Sequence, residues 1–139
     1  DLNAMAKVIQ NFRNDDLNTV LDTYYGTLTG YVADCPLCTG YLGCTGQNVL
    51  DRTTTYDDPQ YGTVRIVASS TSLPCGSIVR FKNSVLSPTG EITAIVLDRG
   101  VTGTNLDLLV ESVDTALTKV GSKKINYDIL RFGWTRDLS

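Results

Sequence analysis

Two aspartates, Asp98 and Asp107, are the residues of this sequence whose type and spacing point to chemistry. Asp98 ends the β-branched run that begins at Ile92, and Asp107 lies inside the apolar segment 106–110. A carboxyl group surrounded by apolar side chains has a raised pKa, which keeps it protonated and able to donate a proton. The pattern predicts an acid–base site built from two carboxylates. The simpler alternative is that Asp98 caps a turn and Asp107 caps the following helix.

The composition excludes several other chemistries. The 139 residues include 0 histidines, which removes Ser-His-Asp and Cys-His nucleophiles and the commonest metal ligand. Proton transfer must therefore use carboxylates, tyrosines or lysines. The net charge is −3 and the basic residues are scattered, so the chain lacks the basic surface that nucleic acid requires. We expect no nucleic-acid partner.

The length fits a single domain with one core. No apolar run approaches the roughly 18 residues that a membrane-spanning helix needs, so no membrane span is expected. A charged and then apolar leader is also missing from the sequence, which indicates either a cytosolic chain or an already trimmed fragment. The oligomeric state stays open.

Four cysteines, at positions 35, 38, 44 and 75, allow three interpretations. An even number in a short chain favours disulfides and an oxidising compartment, with the pairing left open. Cys35 and Cys38 have the spacing of a zinc knuckle, but Cys44 and Cys75 do not form a second close pair. A redox-active Cys-x-x-Cys usually opens a helix, whereas a glycine-rich loop follows here. We predict disulfides, no metal and no cofactor.

The elements that must position the two aspartates are mainly strands. Helical spacing of apolar residues predicts a helix over residues 2–25, closed by Gly26, as an N-terminal helical extension or linker (residues 1–26). Alternation predicts a strand over residues 27–33, with Thr29 and Tyr31 on one face. Further strands are expected at residues 61–68, 77–81, 92–98, 106–110 and 125–134.

Two connecting segments complete the chain. Residues 53–61 are expected to be a polar connection, with Asp57 and Asp58 in a solvated turn. Residues 111–120 are expected to form a short helix that Gly121 closes. One late helix is too few for a parallel doubly wound sheet, so the pattern favours a mainly β, small closed barrel over residues 27–139.

An ordered set of motifs resembles the 3D domain, named for its three aspartates, and its relatives membrane-bound lytic transglycosylase A and rare lipoprotein A. The motifs are Leu-Pro-Cys-Gly-Ser-Ile-Val at 73–79, Leu-Asp-Arg-Gly at 97–100, Gly-x-x-Leu-Asp-Leu-Leu at 103–109 and the late helix ending in Val-Gly at 120–121. The resemblance covers roughly residues 27–134 and implies a six-stranded double-psi β-barrel.

The resemblance also implies an activity: cleavage of peptidoglycan between N-acetylmuramic acid and N-acetylglucosamine without water, leaving a 1,6-anhydro sugar. Asp107 matches the acid/base carboxylate of the family, and Asp98 matches its neighbour. Thr29 and Tyr31 match the Thr-x-Tyr strand that borders the substrate groove. Thr45, in a Thr-Gly step, and Arg99 are the remaining candidate substrate-binding residues. The implied location is extracytoplasmic, secreted or associated with a bacterial cell wall.

The sequence departs from the family pattern at three places. Ser69 occupies the position of the remaining aspartate, so a third carboxylate is missing. Arg99 stands where 3D domains usually have a small residue, although rare lipoprotein A relatives often have arginine there. The loop between the two aspartates is about two residues shorter than in most 3D domains, and the cysteine cluster is not part of the family pattern.

A lytic transglycosylase needs a single titrating carboxyl, because its nucleophile is a hydroxyl of the substrate itself. Asp107 is therefore expected to act as the general acid and then the general base, with Asp98 raising its pKa by like-charge proximity. The main alternative is a glycan-binding barrel without catalysis. An aspartic peptidase using Asp98 in a dimer, which Arg99 disfavours, and a purely structural surface domain are the other possibilities.

Overall fold

The computed structural model describes residues 19–34, 40–51 and 53–134, and nearly all regular structure in these segments is strand. The strands in chain order are β1 (Asp22–Tyr31), β2 (Thr55–Asp58), β3 (Gly62–Ser69), β4 (Ile78–Lys82), β5 (Glu91–Arg99), β6 (Leu106–Leu109) and β7 (Lys123–Arg131). They are rich in β-branched and aromatic residues, which fit a pleated and partly buried surface.

Six of these strands form a closed barrel. The hydrogen-bonded order is β2-β3-β5-β4-β7-β1-β6, and a further pairing of β3 with β6 closes the ring. β1 with β6 and β3 with β5 pair in parallel, whereas the other pairs are antiparallel. β2 lies outside the ring on β3. The predicted mainly β fold, a six-stranded barrel with one short late helix, is confirmed.

The late helix follows β6 directly. It consists of α1 (Val113–Thr115) and a π-helical turn (Ala116–Val120). The hydroxyl of Ser112 accepts a hydrogen bond from the Thr115 amide at 3.1 Å and so caps the first turn. Gly121 ends the helix with φ 65°, a conformation that glycine adopts without a steric penalty.

β5 is buried on both faces and separates two apolar clusters. Ala94 and Val96 belong to the first cluster, and Ile95 and Leu97 belong to the second. Successive side chains of a strand point to opposite faces, so the continuous apolar run of β5 is explained by this double burial. β5 is therefore a rigid support for Asp98 near its end.

The predicted helix over residues 2–25 is wrong where the structure describes those residues as regular. Asp22 to Tyr25 form the first part of β1, which pairs antiparallel with β7. Gly26 does not end a helix but lies within this strand, where an added Cβ would be 2.2 Å from the Thr104 carbonyl oxygen. Residues 2–18 lie outside the described residues, so an N-terminal helical extension over residues 1–26 stays a prediction for them.

The expected polar connection at residues 53–61 is also wrong, because it contains β2. Asp58 is not solvated: it is 4% exposed and pairs with Arg131, which is 0% exposed. The Arg131 guanidinium donates to the two carboxylate oxygens at 2.8 and 2.7 Å. The amides of Gln60 and Tyr61 also donate to Asp58. This bidentate pair fastens β2 to the end of β7.

None of the helices in the described residues has the length and apolarity needed to cross a membrane.

Candidate functional site

Strand register brings Asp98 and Asp107 to the same neighbour. Ala68 on β3 is the Cα partner of Asp98 on β5 and also of Asp107 on β6. On the far side of β6, Asp107 is the partner of Thr29 on β1. Directly paired residues place their side chains on one face of a sheet. Four adjacent strands of the barrel therefore present Thr29, Asp107 and Asp98 on a common face.

A β-bulge decides which way Asp98 points. Val67 pairs with Val96, but the next residue, Ala68, pairs with Asp98, so Leu97 is an extra residue on β5. Without this bulge, alternation would place Asp98 on the face of Ala94 and Val96. Bulges re-aim side chains in this manner. The extra residue moves Asp98 to the face that also carries Asp107.

Asp107 is half-buried and has one hydrogen bond to its carboxyl in the described part of the chain. The Thr29 hydroxyl donates to its Oδ1 at 3.1 Å. Burial raises the pKa of Asp107 above its ordinary value; the bond from Thr29 opposes the rise, and the charge of Asp98 adds to it. A carboxyl group in this environment holds a proton to higher pH than a solvated aspartate does.

Asp98, in contrast, has three donors on its two oxygens. Its Oδ1 accepts the amides of Gly43 and Arg99, both at 2.9 Å. Its Oδ2 accepts the Tyr31 hydroxyl at 2.9 Å. These three hydrogen bonds fix the position of the Asp98 carboxyl on the face that carries Asp107.

Tyr31 stays protonated in this site. Burial, the charge of Asp98, the hydrogen bond to it and the charge of Asp107 all raise the pKa of Tyr31 well above its ordinary value. A neutral tyrosine hydroxyl is both donor and acceptor. The hydroxyl donates a hydrogen bond to Asp98 and can still accept one.

A loop at residues 40–51 contacts Asp98, since its Gly43 amide donates to Asp98 Oδ1. Leu42 and Val49, each 2% exposed, anchor the loop in the second apolar cluster. The Cys44 amide donates to the Leu97 carbonyl at 2.8 Å. Cys44 is joined by a disulfide to Cys75. The loop is therefore fastened to β5 next to the bulge.

The disulfide settles part of the cysteine prediction. Disulfide formation is confirmed for Cys44 and Cys75, and it overturns a zinc site using all four cysteines, because a disulfide sulfur is not a thiolate ligand. Cys35 and Cys38 lie outside the described residues. Within residues 19–34, 40–51 and 53–134, no three His, Cys, Asp or Glu side chains are grouped so that they could hold a metal ion.

The Arg99 guanidinium is directed to the turn that precedes β4. It donates to the hydroxyl of Ser69 at 2.9 Å and to the carbonyls of Ser70 and Leu73, both at 2.7 Å. Ser69, the position without the third aspartate, is 1% exposed. Arg99 therefore stabilises this turn through hydrogen bonds. Its contact with substrate stays a prediction.

A cleft lies beside Arg99. It has a volume of about 740 Å³ and is lined by residues 69–72 and 99–104, most of them serine, threonine or glycine. The hydroxyls of Ser70 and Ser72 donate to the Gly103 carbonyl and so join the two walls. Asp98 directly precedes Arg99 in the chain, but neither Asp98 nor Asp107 lines the cleft.

The structure unites four of the six predicted site residues and adds one that the sequence did not reveal. They form two hydrogen-bonded pairs, Thr29 with Asp107 and Tyr31 with Asp98, and the backbone amide of Arg99 donates to Asp98. Thr45 is exposed, and its hydroxyl accepts the Gln47 amide at 3.1 Å. The Gly43 amide was missed, because nothing in a glycine-rich loop identifies which amide meets a carboxylate 55 positions away.

No protein-family model matches the chain, and no curated protein matches its sequence. Among solved structures, the chain is similar to the apo expansin of Clavibacter michiganensis, at 22% identity and a TM-score of 0.46. The similarity covers 79% of this chain and 51% of that one, so the chain spans about half the length of the expansin.

Proposed function

We propose that the barrel is a peptidoglycan lytic transglycosylase, with Asp107 as general acid and then general base. The observation that carries the proposal is the common register of Asp98 and Asp107 with Ala68, which puts both carboxyls on one face. The motifs that resemble 3D domains provide the substrate class: glycan strands of N-acetylmuramic acid and N-acetylglucosamine.

The first step needs a protonated carboxyl. Asp107 has a pKa above its ordinary value for the reasons given above. It transfers its proton to the glycosidic oxygen between muramic acid and glucosamine, and the bond from muramyl C1 to that oxygen breaks. General acid assistance of this kind typically contributes roughly 10²–10⁴-fold to the rate.

The second step returns the proton. The muramyl C6 hydroxyl attacks C1, forming the 1,6-anhydro bond, and Asp107 accepts the proton that this hydroxyl loses. The carboxyl is then ready for another turnover, and no water is consumed. A single titrating group suffices, because the nucleophile belongs to the substrate.

Asp98 and Tyr31 support this group. The charge of Asp98 favours the protonated form of Asp107, and the positive charge that develops on the sugar in the transition state is stabilised by a nearby carboxylate. Tyr31 holds Asp98 through its hydroxyl and, with Thr29, borders the substrate. We place Thr45 and Arg99 along the glycan on the side of the loop 40–51 and the adjoining cleft.

The location follows from the same proposal. Disulfides persist in oxidising compartments, and Cys44 and Cys75 form one. Peptidoglycan also lies outside the cytoplasm. We therefore place the protein outside the bacterial cytoplasm, secreted or associated with the cell wall.

The test uses purified sacculi and mass spectrometry of the soluble products. Wild type is expected to release muropeptides that carry the 1,6-anhydro end, one water lighter than hydrolysis products. Asp107→Asn is expected to lower this release by about 10²–10⁴-fold while the fold is kept. The control is Asp114→Asn, since Asp114 is an exposed aspartate on the late helix. Release by Asp107→Asn at the wild-type rate would reject the proposal.

A second candidate is a barrel that binds cell-wall glycan without cutting it. The observation in its favour is Ser69, which is buried against Arg99 where the resembled family has its remaining aspartate. In the same assay this function gives wild-type protein that cosediments with sacculi and no soluble anhydro product.

A further inference from the structure

Two segments that are distant in sequence donate hydrogen bonds to the bulge that orients Asp98, one from each side. On one side, the amides of Gly43 and Cys44 donate to the Asp98 carboxyl and the Leu97 carbonyl. On the other side, the Gly76 amide donates to the Val96 carbonyl at 2.7 Å. The disulfide between Cys44 and Cys75 joins these two sides directly.

We propose that the Cys44–Cys75 disulfide is a positioning element of the aspartate site, which keeps the Gly43 amide on Asp98 and the bulge of β5 in place. The coupling of disulfide to bulge stands on its own, whereas its consequence for catalysis rests on the function proposed above.

The Leu97 carbonyl accepts a hydrogen bond from the loop 40–51 through the Cys44 amide. In a bulge the extra residue is not paired in the regular ladder. Here the Cys44 amide donates to the Leu97 carbonyl, and the amide of the preceding residue, Gly43, donates to the Asp98 carboxyl. Two successive donors of the loop thus fit two successive acceptors of the bulge.

The two donors on Asp98 Oδ1 have different supports. The Arg99 amide belongs to β5 itself, next to the carboxyl that it contacts. The Gly43 amide belongs to the loop 40–51 and is held by neighbouring contacts, including the disulfide one residue away. Loss of the disulfide should therefore release the Gly43 amide and leave the Arg99 amide, which makes Arg99 an internal reference.

The test compares these amides by NMR in wild type and in Cys44→Ala/Cys75→Ala. The Gly43 and Arg99 amide protons are expected to respond together to ionisation of Asp98 in wild type. In the variant, the Gly43 amide is expected to lose this response and to exchange with solvent roughly tenfold faster or more, because a loop constraint is removed. The Arg99 amide is expected to keep its response.

Gly43→Ala is a second variant that leaves the cysteines in place. A Cβ at this position would be 3.2 Å from Asp98 Oδ1, which is tighter than ordinary contact, so the loop and the carboxyl must separate by a few tenths of an ångström. The same change in the amide at position 43 is expected. The control is Ser70→Ala/Ser72→Ala, which removes the ties to Gly103 on the opposite wall and should leave the Gly43 amide unchanged.

Two outcomes would overturn the inference. One is a Gly43 amide that keeps its protection and response in the double cysteine variant. The other is equally faster exchange of all β5 amides, which would show that the disulfide stabilises the barrel as a whole. Failure of the proposed catalysis would be observed separately. In that case wild type releases no anhydro product, independently of the exchange rates of the Gly43 and Arg99 amides.

The catalytic consequence has its own readout. With the bulge released, Asp98 no longer holds its place beside Asp107, so the kcat for anhydro product is expected to fall while KM changes little. If KM rises by the same factor by which kcat falls, the substrate groove is damaged, and this result would count against the positioning role.

Discussion

The Tyr31 hydroxyl donates a hydrogen bond to Asp98 Oδ2 at 2.9 Å, although the two residues are 67 positions apart in the chain. Tyr31 ends β1, which does not pair with β5. β6 and β3 lie between these two strands in the closed ring. The hydrogen bond connects the Thr-x-Tyr strand to the carboxylate that influences Asp107.

Tyr31→Phe removes this hydroxyl and keeps the ring. Asp98 then loses one of its three donors, and we expect a loss of about 1 kcal/mol in the free energy of unfolding. Product release from sacculi should also fall, because Asp98 is less firmly held. Chemical denaturation and the release assay check these effects. Tyr25→Phe is the matched control, since Tyr25 is 58% exposed; an equal effect of both variants would contradict the prediction.

Thr29→Val removes the donor to Asp107 Oδ1 with little change in shape. The hydrogen bond from Thr29 opposes the rise in the pKa of Asp107, so the variant should have a still higher pKa at that carboxyl. The alkaline limb of the pH profile for product release should move to higher pH. A ¹³C NMR titration of the Asp107 carboxyl measures the same shift without activity. Thr27→Val, two positions earlier, serves as the control and should leave both measurements unchanged.

Asp107→Asn should change how stability depends on pH. Because the pKa of Asp107 is raised in the folded state, its stabilising contribution is present at pH below the unfolded pKa and is lost as pH rises through the folded pKa. Asparagine does not titrate in this range. The unfolding free energy of the variant relative to wild type should therefore increase with pH across that window, as measured by denaturation at several pH values. A flat difference between Asp107→Asn and wild type would count against the burial argument.

Asp58→Ala should destabilise the barrel strongly. Removal of this carboxylate leaves the guanidinium of Arg131, which is 0% exposed, without its charged partner. Breaking a buried pair in this way typically costs about 3–5 kcal/mol. Asp57→Ala is the control, since Asp57 is exposed and bonds to the hydroxyl of Thr63. Thermal or chemical denaturation compares the two variants, and similar midpoints for both would refute the prediction.

The same pair should make the protein sensitive to acid. Burial of Asp58 raises its pKa, but the bond from Arg131 and the amides of Gln60 and Tyr61 outweigh that effect, so the pKa lies below its ordinary value. A lowered folded pKa gives stability that is present above the unfolded pKa and lost as pH falls through the folded value. Part of the acid unfolding of wild type is therefore expected to disappear in Asp58→Ala.

Local patterns were sufficient for much of the barrel. Alternation of apolar and polar residues located the strands around Val79 and Ile129, because a period of two places apolar side chains on one buried face. The continuous apolar run around Val96 located the strand that is buried on both faces. Local patterns gave the wrong element at Tyr24 and Gly26, where apolar residues at helical spacing lie in β1. The antiparallel pairing with β7 outweighs that local pattern.

For the site, the sequence by itself determined that Asp98 and Asp107 are carboxyls among apolar neighbours, with Thr29 and Tyr31 on one face of an earlier strand. Only the tertiary structure decided that all four meet. The physical reason is the bulge at Leu97: one extra residue turns Asp98 from the face of Val96 to that of Asp107, and the alternation pattern contains no sign of it. The partners that hold the bulge, Gly43 and Cys44, come from a loop whose position depends on barrel closure and on the disulfide to Cys75.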